Sequence, residues 1–382
     1  EGHAVLFDRS SFGVLELSGA DRAAFLHGQC TNDISNAGAG ALLEASFTTP
    51  TGRAVDLCTV AVGAEALRVL VSPERRRSIT DSLDKHIFPM DRVTLTDVTE
   101  RTAVWSLVGP GTSGVLAALG APSVKAGTTV EWKVVGSSVD LLGVSGLAEE
   151  GVTLVVPEDA AAELWERFAR FTDAAPTDAN EDFTIRLGGS REWETFRVLQ
   201  GRPAPGKELT DQVTPLEVGL FHTVHFNKGC YLGQETLSKV LNQNAMRQFL
   251  WGAIFEDQVE AGDKLVVSGT GERAGVVTSA LPFDAGVKPG CQTLVLLKKS
   301  MGGPGLEVKV EARGGITGQV HDIPFATRDV SLAAAPPRDS EDQSSSPADD
   351  GAVDEKTAED LRKEAKLKAM QAKLDAFKKK KK

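Results

Sequence analysis

Near Phe249 the hydrophobic pattern of this 382-residue chain changes its period, and no other feature constrains the fold as much. Ahead of that point, strand-like runs at 14–17, 41–47, 55–62, 93–96, 103–108 and 152–156 alternate with helix-like runs at 20–29, 73–85, 112–119 and 158–171. Ser18 is placed to cap the first of these helices and Pro73 to open the second. Residues 49–52, Thr-Pro-Thr-Gly, read as the turn of a hairpin. Strands and helices mixed with hairpins predict an α+β fold, not a strictly parallel sheet. Beyond Phe249, the runs 249–255, 264–267, 275–279, 293–298 and 306–310 are short and separated by turn residues. That spacing predicts a separate small β-barrel of about 75 residues. The expected divisions are 1–100, 101–248 and 249–330.

Past Arg328 the pattern stops. Residues 333–351, AAAPPRDSEDQSSSPADDG, contain no large apolar side chain. Such a stretch buries too little surface to offset its ordering entropy, so 331–355 reads as a disordered linker. Residues 356–382 read as a basic helical tail ending in five lysines. Residues 351–382 carry eleven Lys or Arg and six Asp or Glu, a balance of +5, which leaves −16 on residues 1–350. The tail can contact an anionic surface or simply be solvated. The net charge of −11 argues against a global nucleic-acid coat, and no apolar run is long enough to span a membrane. Four cysteines with no CxxC pair exclude a disulfide scaffold and a zinc ribbon.

Three segments carry candidate chemistry. Residues 109–114, Gly-Pro-Gly-Thr-Ser-Gly, match G-x-G-x-x-G after a strand. Pro110 removes an N–H that could face a pyrophosphate, so a plain strand-to-helix turn is the expected reading. His222 and His225 are three apart, but no acidic or cysteine partner stands at metal-site spacing, and no resident metal is expected. Residues 227–235, Asn-Lys-Gly-Cys-Tyr-Leu-Gly-Gln-Glu, are the third segment. Lys228 and the N-terminus of a following helix would both favour the thiolate of Cys230. Tyr231 is the only tyrosine in a chain with 16 phenylalanines. The alternative is a tight turn with a packed cysteine and an aromatic ring. Cys30, Cys58 and Cys291 lie in helix or strand patterns, where a free cysteine behaves as a small buried hydrophobe.

Residues 228–235 match the signature K-G-C-Y/F-x-G-Q-E, and here the chain resembles the YgfZ-type folate-binding proteins. These are relatives of the aminomethyltransferase, or T-protein, of glycine cleavage. Residues 7–10, 17–19, 25–33, 197–203 and 215–220 resemble further blocks of that family, over roughly 4–330. The resemblance implies a three-domain α+β ring closed by a small β-barrel, with tetrahydrofolate bound in its opening. It implies support of iron–sulfur cluster assembly or repair, with assembly proteins and client iron–sulfur enzymes as partners. The alternative is a folate-dependent aminomethyl- or methyltransferase with its own turnover. The family's range and the start at Glu1 without a leader imply an organelle matrix, the chloroplast stroma before the mitochondrion.

The resemblance also assigns roles. Cys230, Lys228 and Tyr231 become the reactive group, with Cys230 a possible transient cluster ligand. T-proteins carry adjacent aspartates after a Gly-Gly turn; here Val55 replaces one, leaving Asp56, expected to be exposed. A single carboxylate cannot divide a raised and a normal pKa as a pair does. Glu149 is matched to a pterin-binding glutamate, or is a solvated turn carboxylate. Arg197 is matched to an arginine that meets the glutamyl tail or serves as a buried ion partner. Gln234 and Glu235, which close the signature, are counted with the folate contacts. His27 stands where the family commonly has Gln.

Overall fold

Alternating and continuous apolar runs pair here into three separate sheets. The computed structural model describes residues 2–134, 136–172, 183–283, 285–312 and 315–328. Strands β1 (His3–Asp8) and β2 (Gly13–Ser18) lead into helix α1 (Arg22–Gln29). Next come β3 (Leu42–Thr48), β4 (Ala54–Val62), β5 (Ala66–Val71), α2 (Arg76–Lys85) and β6 (Thr94–Asp97). The second stretch holds β7 (Thr102–Val108), α3 (Thr112–Ala118), β8 (Thr129–Val134), β9 (Ser137–Leu142), β10 (Gly151–Pro157) and α4 (Glu158–Ala169). It continues with β11 (Thr184–Gly188), α5 (Ser190–Gln200) and α6 (Gln234–Asn242). The last holds β12 (Gln248–Phe255), β13 (Lys264–Val267), β14 (Arg273–Ala280), β15 (Cys291–Lys298), β16 (Glu307–Val310) and β17 (Thr317–His321).

The five-stranded sheet runs β3-β4-β5-β2-β6, and the six-stranded sheet runs β11-β1-β7-β10-β9-β8. The final six strands close into a barrel in the order β12-β15-β14-β13-β16-β17. Leu26 of α1 and Ile79 and Leu83 of α2 pack on the first sheet, around Leu15, Val60 and Val69. Leu116 of α3 and Leu164 and Phe168 of α4 cover the second, around Leu107 and Leu154. A third apolar cluster joins Ala54 and Leu57 of β4 to Val198 of α5, the 209–220 segment and Leu250 and Leu294 of the barrel. Burial of this kind is non-directional, so it is the backbone pairing that fixes which strands meet.

Several expectations are corrected. Ser18 is the last residue of β2; Asp21 is the N-cap of α1 and makes no side-chain cap. Pro73 stands in a turn, and α2 starts only at Arg76. The strands β1, β5, β8, β9 and β11, helix α5 and the barrel-closing β17 carry no expectation in the sequence reading. Strand β1, near the start of the chain, is an inner strand of the six-stranded sheet, parallel to β11 and antiparallel to β7. The expected linker and basic tail lie outside the described residues. Among the described residues no helix is long and apolar enough to cross a membrane.

Candidate functional site

The loop 226–233 is held against the C-terminal end of α1 by one ammonium group. Lys228 Nζ donates to the carbonyl oxygens of His27 (2.5 Å), Cys30 (2.8 Å) and Asn32 (2.6 Å). A lysine has three N–H donors, and a helix end leaves its last carbonyls unpaired. All three donors are therefore spent. Burial lowers the Lys228 pKa to about 8, with Cys30 and Asp33 acting to raise it. Lys228 thus fixes the loop, and its N–H donors are committed to these carbonyls and not to the Cys230 sulfur.

The backbone repeats the attachment, since Leu232 N donates to Gly28 O at 3.2 Å. The other side of the loop lies on the β3–β4 hairpin, where Thr48 Oγ1 donates to Leu232 O at 2.6 Å. Gly233 has φ +87, and a β-carbon there would lie 2.7 Å from Thr48 Oγ1 and from Thr49 O. Only glycine fits both the conformation and the space. Tyr231 turns inward. Its ring is buried with Leu216, Phe221, Val224 and Leu237, and lies 4.8 Å from Lys228 Nζ. Its hydroxyl is buried without a partner among the described residues, and burial raises its pKa. Cys230 alone of the four cysteines is exposed; Cys30, Cys58 and Cys291 are buried. Gln234 and Glu235 open α6, and Glu235 pairs with Lys239 on the same helix at 2.5 Å.

The other expected folate contacts are distributed differently. Asp56 is fully buried, not exposed. Its Oδ1 accepts from Leu57 N and Ser72 Oγ, and its Oδ2 from Ser72 N. Burial raises its pKa to about 6, against the hydrogen bonds of Ser72 and Leu57, which lower it. The nine-residue strand β4 is buried throughout except for Val55, which explains why a carboxylate within it is sealed. Arg197 is also sealed. Its Nε donates to Glu194, its Nη1 to Arg202 O and Glu208, and its Nη2 to Glu194 and Ser279. Five donors meet five acceptors, so the geometry is that of a structural ion partner. Burial would lower its pKa, but Glu194 and Glu208 raise it. Glu149 is exposed on the wall of a cavity of about 430 Å³ that also includes Gly109, Thr112 and Ser145. Gln200 Nε2 donates to Glu149 Oε1 at 2.9 Å.

The glycine-rich turn 109–114 has a packing role. A β-carbon on Gly111 would lie 2.7 Å from Gly2 O, and Gly111 N donates to His3 O. The turn thus seats the N-terminal strand. His222 and His225 have different neighbours, and among the described residues no group of three ligands could hold a metal.

Sequence reasoning missed a buried charged network. His222 Nε2 lies 3.1 Å from Glu44 Oε2, and its Nδ1 lies 2.7 Å from Thr327 Oγ1. Arg202 Nη1 donates to Glu44 Oε1 at 3.2 Å. Burial would raise the Glu44 pKa, but His222 and Arg202 bring it down to about 2. Among the described residues Arg9 has no carboxylate hydrogen bond; its Nη1 donates to Ser106 Oγ at 3.1 Å, and its guanidinium lies 4.0 Å from the Phe12 ring and 4.3 Å from Trp193. Burial and then Arg202 lower its pKa. Glu44 lies in no motif, His222 stood out only beside His225, and Arg9 and Arg202 were visible only inside family blocks.

Comparisons with known proteins agree with this fold. The family described as GCVT N-terminal domain matches residues 1–228. A chloroplastic protein of Arabidopsis thaliana, named as a transferase, is 31% identical over 85% of this chain and 72% of its own length. An aminomethyltransferase of Pelodictyon phaeoclathratiforme is 28% identical over 87% of this chain and 91% of its own. The crystal structure of glycine cleavage system aminomethyltransferase T from Bartonella henselae superposes with a TM-score of 0.73 at 20% identity. That match covers 86% of this chain and 88% of the other. The chain belongs to the GCVT family and has the aminomethyltransferase-like α+β fold with a closed C-terminal barrel.

Proposed function

We propose that this chain binds a reduced folate and works through the Cys230 thiol as a maintenance factor for iron–sulfur enzymes, in the manner of the YgfZ-type branch. One observation carries the reading: the only exposed thiol among four stands on a loop whose lysine is fully committed to holding it in place. A soft sulfur presented in this way suits a cluster, an iron ion or a disulfide partner. Tetrahydrofolate is the ligand favoured by family membership, and the pterin partner in this reading is Glu149, an exposed carboxylate on the wall of the 430 Å³ cavity. The partners are then iron–sulfur assembly proteins and their client enzymes. A plastid home is favoured by the chloroplastic relative.

Aminomethyl transfer is the second reading, favoured by the relatives that bear that name. Against it stands Asp56, sealed beside Val55 with both carboxylate oxygens occupied inside the protein. The test is complementation of cells lacking this protein, scored by the activities of several iron–sulfur enzymes. Cys230→Ser is expected to lose that support while still binding tetrahydrofolate. Full support by the serine variant, with turnover of a methylamine donor in vitro, would establish the transferase reading instead.

A further inference from the structure

A buried cation ordinarily has a carboxylate against it, and Arg9 has none to itself. It follows β1, is only 6% exposed, and meets α5 through Trp193. Its Nη1 donates to Ser106 Oγ at 3.1 Å and more weakly, at 3.5 Å, to Ser145 O. A β-carbon on Gly146 would lie 2.5 Å from the same nitrogen, so glycine there leaves the guanidinium its room. Nε is buried without a partner. Nη2 has no hydrogen bond among the described residues either, and it is not sealed from solvent as Nε is. Arg202, just past the end of α5, repeats the pattern. Its guanidinium lies 5.2 Å from the Phe325 ring and gives one N–H to Glu44, while its Nε and Nη2 are unbonded and unsealed.

No side chain of the protein takes up these donors. Glu44 is already shared between Arg202 and His222. Asp56 acts on Arg202 only at a distance, with both oxygens held by Ser72 and Leu57. The two guanidinium groups are close enough that Arg202 opposes the charge on Arg9. A guanidinium cannot shed its proton to relieve that cost, and the Phe12 and Trp193 rings offset only part of it.

We propose that Arg9 and Arg202 bind the carboxylate group of a small organic acid, with Nη2 of Arg9 as the first donor it meets. This goes beyond the reading of Cys230 and does not rest on it. A planar carboxylate matches the N–H fork of a guanidinium, and the Phe12, Trp193 and Phe325 rings beside the two arginines suit the flat body of an aryl acid. Arg197, the arginine that the sequence offered for an acidic ligand, has no donor to spare. The carboxylate belongs either to the glutamyl end of a folate or to a separate acid, and the chemistry at Arg9 is the same for both.

The experiment is titration calorimetry on the full chain with three probes. Benzoate and p-aminobenzoylglutamate carry carboxylates without a pterin; tetrahydrobiopterin carries the pterin without a carboxylate. At least one of the two acids should bind, and Arg9→Met should weaken it about tenfold or more while leaving tetrahydrobiopterin untouched. Arg9→Lys keeps the charge and loses the fork, so it should weaken the acid severalfold, and it decides the matter if the methionine variant does not fold. Repeating the titration with tetrahydrofolate present separates the sources: exclusion of the acid assigns the site to the folate's own carboxylate, and undiminished binding assigns it to a separate acid. No saturable binding of either acid would overturn the proposal, as would equal affinity in the parent and the variant. Failure of tetrahydrobiopterin alone sinks the folate reading and leaves the result at Arg9 readable.

Discussion

Glu44 and Asp56 lie on neighbouring strands of one sheet, the first mostly and the second fully buried, and burial has opposite outcomes for them. Glu44 meets Arg202 and His222, and its carboxyl falls to about pKa 2. Asp56 meets only the Ser72 hydroxyl and two backbone N–H groups, and its carboxyl rises to about 6. Lys228, held by three carbonyls and no carboxylate, likewise drifts toward neutrality, down to about 8. Dipoles make a buried charge tolerable, but in these places only a counter-charge offsets its full desolvation. The lesson bears on function. Glu44 belongs to the scaffold that joins β3 to the barrel-proximal segment, whereas Asp56 and Lys228 are charges the fold carries at a cost.

Three measurements can break this contrast. The largest effect is expected from Arg202→Met, which keeps the contact over Phe325 but strips Glu44 of its guanidinium. Breaking a buried pair should lower unfolding free energy by about 3–5 kcal/mol in urea titrations. A loss below about 1 kcal/mol would mean that His222 alone suffices.

The second is a pair of pH windows. The folded pKa of Asp56 exceeds its ordinary value of 3.8, so its contribution to stability is full below pH 3.8 and is lost as pH rises through about 6. Glu44 behaves oppositely: its contribution is present above pH 4.5 and is lost as pH falls toward about 2. Each window is worth on the order of 3 kcal/mol. Asp56→Asn should flatten the slope between pH 4 and 6 relative to the parent chain. Superimposable slopes would show that Asp56 is not strained by burial.

The smallest effect is expected from Lys228→Met, about 1–2 kcal/mol, because a costly desolvated charge leaves along with its three hydrogen bonds. Cys230 should label no more slowly in this variant. A clear slowing at neutral pH would restore Lys228 as the group that favours the thiolate.

Much of the architecture was legible because it rests on local periodicity. The switch at Phe249 gave the barrel, and the runs at 41–47 and 55–62 gave β3 and β4 nearly to the residue. What stayed hidden rests on long-range pairing. Strand β1 finds β11 across about 180 residues, and β17 closes the barrel on β12, neither of which a local window registers. In the site, the glycines around Cys230 made its exposure readable. Asp56 was expected to be exposed, although the run around it, Ala-Val-Asp-Leu-Cys-Thr-Val-Ala-Val, holds no other charge and already pointed to burial. The role of Lys228 was not, because adjacency to Cys230 along the chain says nothing about where a four-carbon side chain points.

That attachment has a consequence for how the protein is made. The carbonyls that receive Lys228 lie 196–201 residues earlier in the chain. Contacts of such separation form late, after the entropy of closing a very long loop has been met. During synthesis α1 and its sheet emerge first, and Cys230 leaves the ribosome as an unstructured thiol while Cys30 and Cys58 are already being enclosed. The order guards against mispairing: by the time the exposed sulfur of Cys230 is made, Cys30 and Cys58, both buried in the finished fold, are being withdrawn from its reach.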